Sequence, residues 1–172
     1  MWETFPIKLK PNQTAVTPAS EKFFERGSGK PFEDNRKELF HTTVAKGLFL
    51  CKRARPDIQQ AIALLCTRVQ SSNESDWNKL IRMMRYLKGT QEKVLPLKAD
   101  NMAVIKWFID TSFTVHDVFK SHTGGIMKMG TGTAQPMSRK QKLNTSSRTE
   151  SELVGVNDMS TMGLRTKLFL KQ

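Results

Sequence analysis

Asp110 stands in the stretch VIKWFIDTSF, residues 104–113, among β-branched, aromatic and aliphatic residues. An apolar run of this length with little polar alternation predicts a strand that is covered on both faces. A buried carboxylate without a partner is energetically costly, so Asp110 must be paired, lie at the end of the strand or bind a cation. The simpler alternative is a strand-end aspartate that opens a turn.

Three further carboxylates lie in the last predicted helix, which starts at Thr149: Glu150, Glu152 and Asp158. Two carboxylates that converge from different elements are the minimum set for a divalent cation, because Mg²⁺ prefers oxygen ligands and keeps several water ligands. At about 100° per residue the three acids point in different directions, so at most one of them meets Asp110. Periodicity alone does not choose it.

The elements that must position these acids begin with helices. Apolar residues recur at helical spacing in three segments between Asn35 and Gly89. The second segment starts at Pro56, and the third has Ser75 as its predicted N-cap and Gly89 as its stop. Seven apolar positions of the second and third segments predict one helical core: Ile58, Ile62, Leu65, Trp77, Leu80, Ile81 and Met84.

Beyond Gly89 the pattern changes to short runs that predict three antiparallel strands: VIKWFIDTSF, TGGIMKMG and GTAQPMSRK. A hairpin turn is predicted at Gly130-Thr131-Gly132. The apolar face of the final helix is predicted to contain Leu153, Val156, Met159 and Leu164. The fold class is therefore α+β. Three regions follow: an extended proline-rich arm at 1–34 with Pro6, Pro11, Pro18 and Pro31, a helical segment at 35–92, and a region of strands and helix at 93–172.

The charge of the chain points to a polyanionic partner. The sequence has 28 Lys and Arg against 16 Asp and Glu, a formal net charge of +12. The basic residues are spread through the segments CKRARPD, KLIRMMRYLKGTQEK and SRKQKLNTSSR, which favours a folded surface that tracks a phosphate backbone. An acidic lipid or protein partner in a larger assembly is the alternative. Five residues are predicted to contact nucleic acid: Arg82, Arg85, Arg139, Lys140 and Lys142.

Targeting signals are not evident in the sequence. No apolar run approaches the roughly 18 residues of a membrane span, and the N-terminus lacks the apolar core of a signal peptide. Cys51 and Cys66 are too few and too isolated for a disulfide framework or a zinc cluster. A soluble protein in a reducing, intracellular compartment is expected.

Four segments together resemble the C-terminal part of a copia-type retrotransposon polyprotein: FHTTVAKGLFLCKRARPDIQQAIALLCTRV, WNKLIRMMRYLKGT, VIKWFIDTSFTVHDVFKSHTGGIMKMG and SRKQKLNTSSRTESELVGV. In that family the reverse transcriptase ends in a helical thumb or connection segment, which an RNase H domain follows. The resemblance spans residues 36–170 in unbroken order. It implies that 35–92 is thumb- or connection-like and that 93–172 is a truncated RNase H-like domain.

The resemblance also implies roles for single residues. Asp110 in FIDTSF matches the first RNase H aspartate, and Glu152 in TESEL matches the glutamate of the first helix of that domain. Both would hold Mg²⁺ for the hydrolysis of RNA in RNA–DNA hybrids. RPDI at 55–58 and RYLKGT at 85–90 match the helical segment.

The chain also departs from the family pattern. An RNase H site needs four acidic positions, and in the family the third belongs to a DN motif on a later strand that follows the first helix, whereas this sequence stops at Gln172 before such a strand. We therefore expect no cleavage by this chain alone. The alternative function is that of a domesticated, non-catalytic basic subunit that binds nucleic acid or serves structurally in a larger assembly.

Overall fold

The computed structural model describes residues 13–100, 104–116 and 118–171. The chain divides into two compact units, with the division between Val94 and Leu95. The first unit contains helices and the second contains strands and one helix, so the predicted α+β class with an N-terminal helical part is confirmed. Pro6 and Pro11 of the predicted arm lie outside the described residues. Within the described ranges, no helix combines the length and the apolar character that crossing a membrane requires.

The helical unit is built around one apolar core. Its elements are α1 (Asp34–Arg53), a 3-10 turn (Pro56–Ile58), α2 (Gln59–Arg68), a second 3-10 turn (Val69–Ser71) and α3 (Glu74–Gly89). Ile58 and Ile62 are fully buried, and Ile81 is partly buried against the same cluster. The predicted core positions that are buried are Ile58, Ile62, Leu65, Trp77, Leu80 and Met84. The predicted helical core is therefore confirmed.

The N-terminus of α3 differs from the prediction. Asn73, not Ser75, is the N-cap: its side chain accepts a hydrogen bond from the backbone N–H of Asp76 at 3.2 Å. In return the Asp76 carboxylate accepts from the backbone N–H of Asn73 at 3.3 Å. An acid at the third helical position makes Asn73 the better cap, since both groups are satisfied together. Gly89 ends the helix as predicted.

Residues 13–33 form a segment that packs on the helices, which differs from the predicted extended arm. Phe23 is 2% exposed and belongs to the helical core. Phe32 meets the ring of Trp77 edge-on, with the two centroids 6.0 Å apart. The side-chain amide of Asn73 donates a hydrogen bond to the carbonyl of Gly27 at 2.9 Å. Apolar burial and this bond hold the segment beside α3.

A buried polar network joins the RPDI and RYLKGT segments. Arg55, 7% exposed, donates hydrogen bonds to the carboxylate of Asp57 at 2.8 Å and to the backbone carbonyl of Thr90 at 2.9 Å. The Tyr86 hydroxyl donates to the same carboxylate at 2.6 Å. Burial would by itself raise the pKa of Asp57, but the bonds from Arg55 and Tyr86 outweigh it and lower the pKa. These hydrogen bonds therefore join the two segments at the C-terminal end of α3.

The second unit contains a small antiparallel sheet. Its elements are β1 (Lys98–Ala99), β2 (Lys106–Ser112), β3 (Lys120–Lys128), β4 (Gly130–Thr131), β5 (Gln135–Asn144) and α4 (Arg148–Phe169). The strands β2, β3 and β5 form a three-stranded sheet in that order, and β1 pairs with β4. The three predicted strands are confirmed. The predicted hairpin turn at 130–132 is part of a longer connection between β3 and β5, in which Gly130 and Thr131 form β4. Gly130 and Gly132 have φ of 140° and 80°, which glycine tolerates.

The strand β2 is not covered on both faces, contrary to the prediction. It lies at the edge of the three-stranded sheet, and its side chains alternate between exposed and half-buried. Phe108 is 52% exposed. The helix α4 packs on the face of the sheet that carries Ile109 and Thr111, so Phe108 lies on the other face.

The buried face of α4 is also different from the predicted one. Ser151, Gly155 and Met159 are buried, whereas three of the four predicted apolar positions are exposed: Leu153, Val156 and Leu164. A Cβ atom at Gly155 would collide with the methyl group of Thr111 on β2. The helix therefore approaches the sheet through its small residues, which permit close packing.

Candidate nucleic-acid interface

Asp110 lies in β2 with an exposed side chain, and its Cα partner on β3 is Gly124. Side chains alternate between the two faces of a strand. Since α4 packs on the face that carries Ile109 and Thr111, Asp110 lies on the opposite face. The hydrogen bonds and ion pairs of the described residues leave its carboxylate without a partner.

The three acids of α4 have different surroundings. Glu150 accepts hydrogen bonds from the backbone N–H and the hydroxyl of Ser146, at 2.6 and 2.7 Å, and these bonds lower its pKa. Asp158 forms an ion pair with Arg139 at 2.8 Å. Glu152 is exposed, and the hydrogen bonds and ion pairs of the described residues do not join it to Asp110.

The described residues do not fit the two-metal site that the resemblance implies. Two Mg²⁺ ions held a few ångströms apart need several carboxylates around them. In the described ranges, no three His, Cys, Asp or Glu side chains gather in one place. Asp110 also lies on the sheet face away from α4, the helix that carries Glu152. The assignment of Asp110 and Glu152 as metal ligands stays a prediction.

The three basic residues of β5 have separate environments. Arg139 donates to the carboxylate of Asp158 at 2.8 Å and to its backbone carbonyl at 3.0 Å, which fixes the guanidinium against α4. Lys140 is exposed and lies opposite His122. The side chain of Lys142 is exposed too, and its carbonyl accepts a hydrogen bond from Lys120 at 2.7 Å. Arg139 is thus partly engaged within its own unit.

Arg82 and Arg85 line a cavity of about 750 Å³ in the helical unit, here called the basic cavity. One wall is α3, and the other is the part of the chain from Thr14 to Gly27. The charged side chains that line it are Lys22, Glu25, Arg26, Lys79, Arg82 and Arg85. Positive charge therefore dominates this cavity.

Most of that charge is not neutralised. The ion pairs of the described residues leave four of the cations without an acidic partner: Lys22, Arg26, Arg82 and Arg85. Arg82 donates to the hydroxyl of Thr17 at 2.9 Å, and Arg26 donates to that of Ser71 at 3.3 Å. A hydroxyl orients a guanidinium but does not cancel its charge. The cavity thus presents cations that an anion could neutralise.

Sequence reasoning found Arg82 and Arg85 but missed Lys22 and Arg26. Lys22 and Arg26 lie in residues 1–34, which the sequence predicts to be an extended arm. The aromatic pair Phe23-Phe24 in that stretch is an available signal, because Phe is among the residue types that are most often buried. Docking of this pair brings its basic neighbours to α3.

No family model matches the chain, and no solved structure matches it. The chain is 31% identical over 108 residues to the retrovirus-related Pol polyprotein from transposon RE2 of Arabidopsis thaliana. That match covers 62% of the chain and only 7% of the polyprotein. The chain is also 25% identical over 118 residues to secreted RxLR effector protein 161 of Plasmopara viticola, which covers 68% of the chain and 83% of the effector. The polyprotein match supports a retrotransposon origin for the chain.

Proposed function

We propose that the chain is a piece of the reverse transcriptase and RNase H region of a retrotransposon polyprotein, and that its helical unit binds RNA–DNA hybrid. The motifs RPDI and RYLKGT, together with the similarity to a Pol polyprotein, support this origin. The observation that carries the binding proposal is the basic cavity, where Arg82 and Arg85 lie beside other cations without acidic partners.

In this proposal the cations of the basic cavity contact phosphate oxygens of one backbone. Lys and Arg contacts to phosphates fix the position of a protein on a duplex without reading its sequence. A hybrid has an A-like form, which proteins recognise mainly through its shape and its backbone. Binding therefore depends on charge and duplex form, with little dependence on base sequence.

Asp110 and Glu152 are, in this proposal, derived from the metal ligands of an RNase H. No hydrolytic step is assigned to them, because the described carboxylates do not form the cluster that two Mg²⁺ ions need. Binding to the hybrid does not require a metal, since the cations of the cavity supply the positive charge. The proposed activity is thus recognition of the duplex.

The affinity of the full chain for a labelled RNA–DNA hybrid is expected to fall steeply as salt increases. Neutralisation of about four phosphates gives a plot of log affinity against log salt with a slope of about −3 to −4. Fluorescence anisotropy in the presence of EDTA measures this slope. A hybrid of scrambled sequence is the control and should bind equally. Affinity that does not change with salt would contradict the proposal and favour a protein partner.

A further inference from the structure

The face of the three-stranded sheet that lies opposite α4, here called the open face, contains a shallow cavity of about 260 Å³. Four residues of the cavity lining lie on this face. They form two directly opposite pairs across β2 and β3, Phe108 with Ile126 and Asp110 with Gly124. Ligand sites for drug-sized molecules span roughly 300 to 1,000 Å³. The cavity of the open face is therefore suited to one ring system of a larger ligand.

The lining of this cavity is largely apolar. Phe108 is 52% exposed, and Ile126 lies directly across from it on β3. A Cβ atom built at Gly124 would meet only the carbonyl oxygen of Asp110, at 3.8 Å, so there is open space above this glycine. A planar ring lying on Phe108 would reach the space beside the Asp110 carboxylate. Exposed aromatic rings on open sheets are common stacking platforms for nucleobases.

The open face also carries lysines. Lys106 and Lys128 are paired across β2 and β3, and the Lys128 ammonium lies 5.6 Å from the centroid of the Phe108 ring. Lys140 is exposed on β5, opposite His122. Asp110 has no partner among the described residues. One ligand could thus stack on the aromatic ring, bond to the carboxylate of Asp110 and contact the lysines.

We infer that the open face binds an unpaired guanine of single-stranded nucleic acid. The base stacks on Phe108, and the carboxylate of Asp110 accepts hydrogen bonds from the N1–H and the amino group of guanine. Lys106 and Lys128 contact the neighbouring phosphates. This inference rests on the proposal that the chain binds nucleic acid, but it concerns a different unit, a different strand form and a different set of residues.

The choice of guanine follows from hydrogen-bonding chemistry. Guanine presents two adjacent N–H donors on one edge, which a carboxylate can accept side by side. Uracil presents a single N–H between two carbonyl oxygens, and these oxygens would face the negative charge of Asp110. A paired set of donor and acceptor groups discriminates between bases by about tenfold or more. The open face is therefore selective for the guanine edge.

The test uses the full chain and short uridine oligonucleotides, one of which carries a single central guanosine. Fluorescence anisotropy in EDTA should give about tenfold tighter binding of the guanosine oligonucleotide. Asp110→Asn should abolish this preference. Phe108→Ala and Gly124→Leu should each weaken binding of both oligonucleotides by about tenfold, because stacking is lost or the space above Gly124 is filled.

Phe49→Ala is the matched control, since Phe49 is a 67% exposed aromatic residue of α1 in the other unit. It should leave both affinities unchanged, and melting curves should show that all variants fold. Equal binding of the two oligonucleotides by the wild-type chain would overturn the inference, as would wild-type affinity of folded Phe108→Ala and Gly124→Leu. Loss of the salt-dependent hybrid binding with the guanosine preference intact would overturn only the proposal for the basic cavity.

Discussion

Replacement of Asp57 by alanine is expected to lower the free energy of unfolding by about 3 to 5 kcal/mol. The change leaves the Arg55 guanidinium buried without its carboxylate, while its bonds to Thr90 remain. An unpaired buried charge is far costlier than the loss of an exposed ion pair. Urea denaturation of the full chain, followed by circular dichroism, measures the difference.

Glu74→Ala provides the control for the Asp57 variant. Glu74 pairs with Arg36 at 2.8 Å, but both side chains are largely exposed, so its loss should cost less than about 1 kcal/mol. Equal losses for the two variants would show that the Arg55–Asp57 pair has no special role.

The stability difference caused by Asp57 should also depend on pH. Its pKa in the fold lies below the ordinary value of 3.8, despite burial, because hydrogen bonds from Arg55 and Tyr86 favour the charged form. A carboxylate with a lowered pKa stabilises the fold above its unfolded pKa, and this stabilisation is lost as pH falls through the folded value. The difference between the wild type and Asp57→Ala should therefore be constant near neutral pH and shrink below about pH 4.

Leu80→Ala is expected to reduce the free energy of unfolding by about 2 to 5 kcal/mol. Leu80 is fully buried in the helical core, so truncation leaves a cavity that its neighbours fill only in part. The change in the urea midpoint at constant slope measures the loss. Leu153→Ala is the matched control, since Leu153 is 67% exposed on α4, and it should change stability by less than about 0.5 kcal/mol. A Leu80→Ala midpoint equal to that of the control would refute the assignment of Leu80 to the core.

The helices and strands could be predicted because they depend on local periodicity. The spacing of Ile58, Ile62 and Leu80 predicts a helical core, and each of these residues is fully buried. Gly89 ends α3, and the glycines at 130 and 132 adopt the positive φ angles that glycine tolerates.

The buried face of α4 could not be predicted from apolar spacing. The sequence offers Leu153 and Val156 as a core face, but the helix turns Gly155 and Ser151 to the sheet. A close approach to Thr111 requires a residue without a side chain on α4. This requirement is set by the strand on which the helix packs, and the apolar spacing of the helix does not show it. The position of Asp110 could not be predicted for the same reason. It depends on which face of β2 the helix covers, and tertiary packing decides this.

The basic cavity likewise depends on tertiary packing. Arg82 lies on α3, and Lys22 lies in a segment more than fifty residues earlier in the sequence. Their proximity follows from the burial of Phe23 in the helical core. The sequence alone displays many cations, and it does not show which of them lie in one cavity.

The most direct test of the proposed function compares two double variants that lose the same charge. Arg82→Gln with Arg85→Gln removes two cations of the basic cavity, whereas Lys30→Gln with Arg53→Gln removes two exposed cations of the same unit that lie outside it. The log–log salt slope for RNA–DNA hybrid binding should become shallower by about two units in the first variant. The second variant should keep the wild-type slope. Identical slopes and affinities for the two variants, both folded, would contradict binding of the hybrid at the basic cavity.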